Sequence, residues 1–322
     1  MNEKRGIVTV ATGKYYCWLA QNLAMSYRLF TDRKYPLCAI TDKDGEKRLK
    51  RYFDRVVVLE KPSYTFLDKI AVYENSPYEE TLFIDADMDV TDDFGFMLDE
   101  LYENGSEISC IASYREITDT NRPEHFGNAA IEHFHLKRCL AFNGGVYYFK
   151  KSRRGDEFFR LIYDDLIPNY HRYEMKVFRD GQMADEPLIG LAMAVQDMKP
   201  FSTDRDVMKL IQDMKTVKWD MKNRTTRLVW YSKEVHPIML HYGTHNTRHK
   251  KYVYYNAIVR CRYHHVTALL PFYLTYREIR LAFLHLSRKE DRKALKSWIL
   301  GHFTKEHFAH RLDQLKRLFK RA

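Results

Sequence analysis

The stretch Thr81-Leu-Phe-Ile-Asp-Ala-Asp-Met-Asp-Val90 sets three carboxylates, Asp85, Asp87 and Asp89, two residues apart directly behind an apolar run. Leu82, Phe83 and Ile84 read as a strand buried on both faces, the kind found in parallel sheets. Ligands of open α/β sheets bind beyond the carboxyl ends of strands, so the acids fall where a ligand sits. On an extended chain Asp85 and Asp87 project to the same side, because side chains alternate with period two. Two hard oxygen donors aimed at one point suit Mg²⁺ or Mn²⁺ carrying a diphosphate. Without a cation, two carboxylates at a buried strand end repel each other. A calcium loop of the EF-hand kind does not fit, since Val90 stands where that loop needs glycine and Phe96 where it needs a bidentate glutamate. Asp92 or Asp93 reads as the cap of a helix over residues 94–102.

The elements that must position these acids are legible on both sides of them. Residues 6–12 form a first apolar strand, residues 15–30 a helix, residues 37–42 a second strand and residues 56–59 a third. A helix over residues 66–73 precedes the acidic strand. Strands alternating with helices predict parallel βαβ units with right-handed crossovers, hence a Rossmann-like nucleotide-binding half. The Gly-x-Gly-x-x-Gly of dinucleotide folds is absent, which argues against a dehydrogenase. Residues 108–112 give a further strand, and residues 114–138 a polar connection with His125, His133 and His135. Their spacing lacks the i, i+4 pair of a zinc protease helix, so this segment reads as an acceptor-binding loop, a lid or plain surface.

Three later segments carry further candidate groups. In Ala141-Phe-Asn-Gly-Gly-Val-Tyr-Tyr-Phe149 a strand lies behind Gly144 and Gly145, which permit close backbone approach or positive φ; a plain turn is the alternative. Gly181-Gln-Met-Ala-Asp-Glu-Pro187 leads into an apolar helix over residues 188–195, so Asp185 and Glu186 read either as ordinary first-turn capping or as acids beside a reacting carbon. In the latter case one of the carboxylates would take a proton as general base, or Asp185, Glu186 or Gln182 would steady positive charge on that carbon. Residues 236–241 read as a last strand ending at His241.

Taken in order, Phe83-Ile-Asp-Ala-Asp87, the Asn-Gly-Gly strand, Asp185-Glu-Pro and His241-Tyr-Gly resemble the metal-dependent glycosyltransferases of the GT-A fold with their DXD motif, and most of all the family-8-like retaining enzymes. The resemblance spans about residues 5–250. It implies an enzyme moving a sugar, a hexose by expectation, from a nucleotide-sugar, a UDP-sugar by expectation, to an acceptor. It implies Asp85, Asp87 and His241 as ligands of Mn²⁺ or Mg²⁺, with imidazole suiting Mn²⁺ better. Thr9, Ala11, Thr12 and Tyr15 would hold the nucleoside, an aromatic at Tyr15 or Tyr16 stacking on the base. Lys69 would reach a phosphate or the donor sugar, Asn143 with Gly144 and Gly145 the sugar hydroxyls, and one of His245, Arg248, Lys250 and Lys251 the diphosphate. Residues 243–251 depart from the usual Lys-Pro-Trp ending of the family.

With 322 residues, 45% of them apolar and 14% aromatic, the chain suffices for one large α/β domain and an appendage. Its five scattered cysteines favour reduced thiols over a disulfide frame. Residues 260–322 hold 15 Lys or Arg against 5 Asp or Glu, equal to the excess of +10 of the whole chain. The expected division is a catalytic domain over residues 1–255 and a basic helical tail over 256–322. Leu295, Trp298, Ile299 and Phe303, then Phe308, Leu312, Leu315 and Phe319, recur at helical spacing among basic residues. Such helices lie on anionic membrane surfaces, dock onto their own protein or bind nucleic acid. The N-terminus enters a strand without an apolar signal region. The combined expectation is a cytoplasmic enzyme, peripheral on the inner face of a membrane, acting on a glycan or lipid-linked acceptor. Nucleic acid or protein as acceptor, and a non-catalytic adaptor on the same fold, are its rivals.

Overall fold

The computed structural model describes residues 4–276, apart from 33–34, 119–120, 122, 179–180, 202, 204–205, 212–213, 221–224, 231–232 and 244–249. The chain divides into two compact units, Met1–Gly243 and Thr244–Ala322. In the first, β1 (Arg5–Ala11), α1 (Gly13–Phe30), β2 (Leu37–Thr41), α2 (Lys43–Leu49) and β3 (Arg55–Val58) form the expected βαβ series. A 3₁₀ turn at Phe66–Lys69 and the short α3 (Val72–Asn75) replace the single helix predicted there, and lead to β4 (Glu80–Ile84). Then come β5 (Met88–Val90), α4 (Phe96–Glu103), β6 (Ile108–Glu116), α5 (Asn128–Phe134), β7 (Arg138–Lys150), α6 (Arg153–Leu161) and α7 (Asp185–Val195). The unit closes with β8 (Met208–Leu210), β9 (Met214–Asp220), β10 (Thr225–Trp230), β11 (Lys233–Val235) and β12 (Met239–His241).

The central sheet has the order β3-β2-β1-β4-β7-β6. Its first four strands are parallel, whereas β7 runs antiparallel to β4 and β6 antiparallel to β7. This is the mixed α/β architecture expected, with a parallel-rich half that places the carboxyl ends of β1, β2 and β4 on one edge. Burial explains the composition: every residue of β2 and β4 is buried, as a strand covered on both faces requires. Across the β4–β7 pair Phe83 opposes Tyr147, their rings stacked at 4.5 Å. Two smaller three-stranded sheets, β5-β12-β8 and β11-β10-β9, were not anticipated. The second unit contains α8 (Lys250–Tyr263) among its described residues.

Several local expectations change. Gly144 and Gly145 lie inside β7, not in a turn, and β7 bulges against β6 between Cys110 and Ala112. The 114–138 connection contains regular structure, since β6 runs on to Glu116 and α5 occupies its later half. Between β4 and β5 the chain turns at Ala86 and Asp87 and does not stay extended. Asp93 accepts from Gly95 N–H (3.0 Å) just ahead of α4. The basic stripe from Leu295 to Phe319 lies outside the described residues. No described helix is long and apolar enough to cross a membrane.

One close approach gives a stability prediction. A Cβ on Gly6 of β1 would fall 2.3 Å from Cε2 of the fully buried Tyr78 ring, which a ring packed at core density cannot yield. Gly6→Ala is expected to cost about 1–3 kcal/mol by overpacking, read as a lower urea midpoint. An unchanged midpoint would mean that Tyr78 has room to rotate away.

Candidate metal and donor site

Strand pairing brings Asp85 and Asp87 to a histidine more than 150 residues away. Asp85 leaves β4 with its N–H donated to the Gly145 carbonyl (2.9 Å), so β7 pins the strand end. After the turn, β5 pairs antiparallel with β12, setting His241 opposite Met88. Tyr242 N–H also donates to the Asp87 carbonyl (3.2 Å). His241 Nε2 thereby stands 3.3 Å from Asp87 Oδ1 and 3.9 Å from Asp85 Oδ2. One ligand atom from each of Asp85, Asp87 and His241 lies within 4.8 Å of the others, and all three residues are buried. Asp89, buried in β5 opposite Leu240, is outside this group.

Lys69 joins the cluster from the 3₁₀ turn. Its ammonium is 2.7 Å from Asp85 Oδ1 and 3.3 Å from Asp185 Oδ2. Three buried carboxylates therefore share one ammonium and one imidazole. Burial would lower the pKa of Lys69, but Asp185 and Asp85 outweigh it and hold the ammonium charged. Burial, reinforced by Asp87 and Asp185 against the pull of Lys69, pushes the Asp85 carboxyl up to about 6. Asp87 is held below its ordinary value because His241 and Lys69 overcome its burial. The His241 pKa is raised, as Asp87 and Asp85 overcome desolvation. His241 Nδ1 is buried without a hydrogen-bond partner among the described residues, so Nε2 is the nitrogen turned to the carboxylates. Two carboxylates and an imidazole in a site with surplus negative charge fit a Mn²⁺- or Mg²⁺-sized cation.

The Asn143-Gly-Gly segment and the start of α7 form the opposite wall. A Cβ on Gly144 would lie 3.4 Å from Asp185 Oδ2 and 3.2 Å from Glu186 Cβ, and one on Gly145 would lie 3.2 Å from His241 Cε1. The glycines thus permit close approach, as expected from the sequence. Asn143 Oδ1 accepts from Gly145 N–H (3.0 Å). Capping does not account for the acids, because Ala184 is the N-cap of α7 and no side chain caps it. Asp185 meets Lys69, whereas Glu186 Oε1 accepts from Gly144 N–H (2.9 Å) and its Oε2 lies 3.9 Å from His125 Nδ1. The Gln182 carbonyl accepts from Phe178 N–H (2.9 Å).

In the first strand Thr9 and Ala11 are fully buried within β1, and Thr9 Oγ1 has no partner among the described residues. Thr12 follows the strand and donates its hydroxyl to Asp68 (2.8 Å). Tyr15 is half-buried and packs edge-on against Tyr16. Asp42 at the end of β2 accepts from the N–H groups of Gly13, Asp44 and Gly45. His245 lies outside the described residues, and Lys250 opens α8. Sequence reading missed the Lys69–Asp185 and Glu186–Gly144 links and the role of Asp68, which depend on contacts between distant segments. The one signal available was the adjacency of Asp68 to Lys69.

No protein-family model matches the chain, and no curated protein does. Solved structures similar to it include the bifunctional glycosyltransferase WbbM without ligand, at 12% identity and TM-score 0.49, covering 77% of this chain and 47% of that one. Others are mouse xyloside xylosyltransferase 1 (11%, TM-score 0.46, 75% and 98%) and the galactosyltransferase LgtC with donor and acceptor sugar analogues (14%, TM-score 0.47, 76% and 89%). The chain spans about half the length of WbbM.

Proposed function

We propose that the chain is a metal-dependent glycosyltransferase of the GT-A kind. It moves a hexose from a nucleotide-sugar, a UDP-sugar in the first instance, to a glycan or lipid-linked acceptor of a cell envelope. The observation that carries this reading is the convergence of Asp85, Asp87 and His241 at the end of β4, with Lys69 and Asp185 at hydrogen-bonding distance of the same point or of each other. A cation on the three ligands, Mn²⁺ or Mg²⁺, would neutralise charge on the departing diphosphate.

The chain's own groups divide the remaining work within the catalytic region, residues 1–255. Thr12 and Tyr15 with the ends of β1 and β2 receive the nucleoside. Asn143, Gly144 and Gly145 line the sugar. Asp185, seated beside Gly144 and paired with Lys69, faces the anomeric carbon, with Glu186 and Gln182 flanking it. As the anomeric C–O bond to the diphosphate breaks, with both electrons leaving on phosphate oxygen, the acceptor oxygen bonds that carbon and passes its proton to the departing diphosphate in a retaining course, or to the Asp185 carboxylate in an inverting one. A carboxylate at Asp185 would steady the positive charge on the ring. The basic tail would hold the enzyme against an anionic membrane on its cytoplasmic face.

The test is calorimetric titration with UDP with and without Mn²⁺, followed by assay of UDP-sugar hydrolysis. Binding is expected only with the metal, and slow donor hydrolysis should follow. Metal-independent binding would remove the cation from the proposal. No binding of any nucleoside diphosphate, with no donor hydrolysis, would leave the adaptor reading.

A further inference from the structure

We infer that Tyr64 is the platform on which the donor's nucleobase stacks and that Asp68 is its positioning residue; this rests on the donor-site reading above. Tyr64 lies in the loop between β3 and the 3₁₀ turn, at φ +56°. A bulky side chain rarely adopts that left-handed backbone, and such strain persists only where the surroundings over-determine it.

Asp68 supplies that constraint. Its side chain is almost fully buried, and its two oxygens accept from Tyr64 N–H (3.0 Å), Ser63 N–H (2.7 Å), Ser63 hydroxyl (2.7 Å) and Thr12 hydroxyl (2.8 Å). The Thr12 bond ties the loop to the carboxyl end of β1. Thr65 accepts from Leu67 N–H (3.2 Å), which steadies the start of the same turn.

The residue held this way is a tyrosine 62% exposed to water. A Cβ on Gly13 would lie 3.9 Å from Tyr64 Cδ1, which sets the ring beside the β1–α1 junction. Gly13 N–H is bonded to Asp42 at the end of β2, so the ring stands in the crevice outside two strand ends where open α/β sheets take ligands. A strained loop that holds a large ring in solvent at that place has an explanation when a flat apolar partner covers the ring. A nucleobase is such a partner, and stacking on an aromatic side chain tolerates any base. Tyr15, half-buried against Tyr16, offers less ring surface. The turn that carries Asp68 also carries Lys69, so one short element links the base platform to the carboxylate cluster.

The test separates base from diphosphate. Titrations in Mn²⁺ compare UDP with inorganic pyrophosphate for the natural protein, Tyr64→Phe, Tyr64→Ala and Tyr64→Gly. The glycine variant relieves the backbone strain and so serves as the folding control. Tyr64→Ala and Tyr64→Gly are expected to weaken UDP by about ten- to a hundredfold, the scale of one base stacked on one ring. Pyrophosphate should bind as before, and Tyr64→Phe should match the natural protein. Asp68→Asn should weaken UDP in the natural background but add nothing to Tyr64→Gly. UDP binding unchanged in Tyr64→Ala, or an equal loss for pyrophosphate, overturns the inference while the donor site stands. If the natural protein binds neither UDP, CDP, GDP nor ADP, the donor-site reading falls and this inference with it.

Discussion

Asp87→Asn is expected to remove the Mn²⁺-dependent binding of UDP and with it all transfer from the donor. The change keeps the shape of the side chain but deletes the charge that stands 3.3 Å from His241 Nε2. Loss of an outer-shell partner alone costs about 10- to 100-fold in metal affinity, and loss of a ligand together with its charge should exceed that. Calorimetry with Mn²⁺ and UDP on both proteins measures the difference, with the metal-free thermal midpoint as the check on folding. Equal Mn²⁺ affinity in a folded Asp87→Asn protein would mean that the cluster is a structural ion-pair network and not a metal site. Such networks perturb buried acids in the same way, so the metal titration is what separates the two.

The largest effect on the metal-free protein should come from Lys69→Met. The ammonium is the shared partner of Asp85 and Asp185, and both carboxylates are buried. Taking away one member of a buried charge set leaves the others uncompensated, at about 3–5 kcal/mol. The thermal midpoint should fall by roughly 5–10 °C. Saturating Mn²⁺ should recover part of that fall, because a cation binding the folded form alone stabilises it by mass action and restores positive charge beside Asp85. Recovery on adding Mn²⁺ is the informative readout, since a packing defect from the shorter side chain would not respond to metal. A midpoint equal to that of the natural protein would show that Lys69 does not compensate these acids.

The three features behind these expectations were legible to different degrees. Asp85 and Asp87 stood out because an apolar strand running into paired carboxylates is a local pattern, and local patterns follow from the chain's own periodicity. The glycines at 144 and 145 were visible as sites of close approach. Their position inside a strand was not, because a pair of glycines suits a turn equally well and only the pairing of β7 with β4 and β6 decides between them. The acids at 185 and 186 read either as first-turn capping groups or as acids beside a reacting carbon, and local sequence does not decide between the two. Their partners, Lys69 and the Gly144 N–H, lie 116 and 42 residues away.

The parallel-rich half of the central sheet, the acidic strand end and the identity of the groups able to hold a cation were readable from the chain alone. These rest on hydrophobic period and residue chemistry, which are properties of short segments. Tertiary structure alone decided that Asp89 leaves the cluster, because a turn at Ala86 and Asp87 breaks the alternation that would have kept three acids on one side. It also decided that Lys69 bridges two carboxylates and that a buried Asp68 holds Tyr64 out in water. Charge compensation and backbone strain are settled by which distant segments meet, and no short stretch of this chain carries that information.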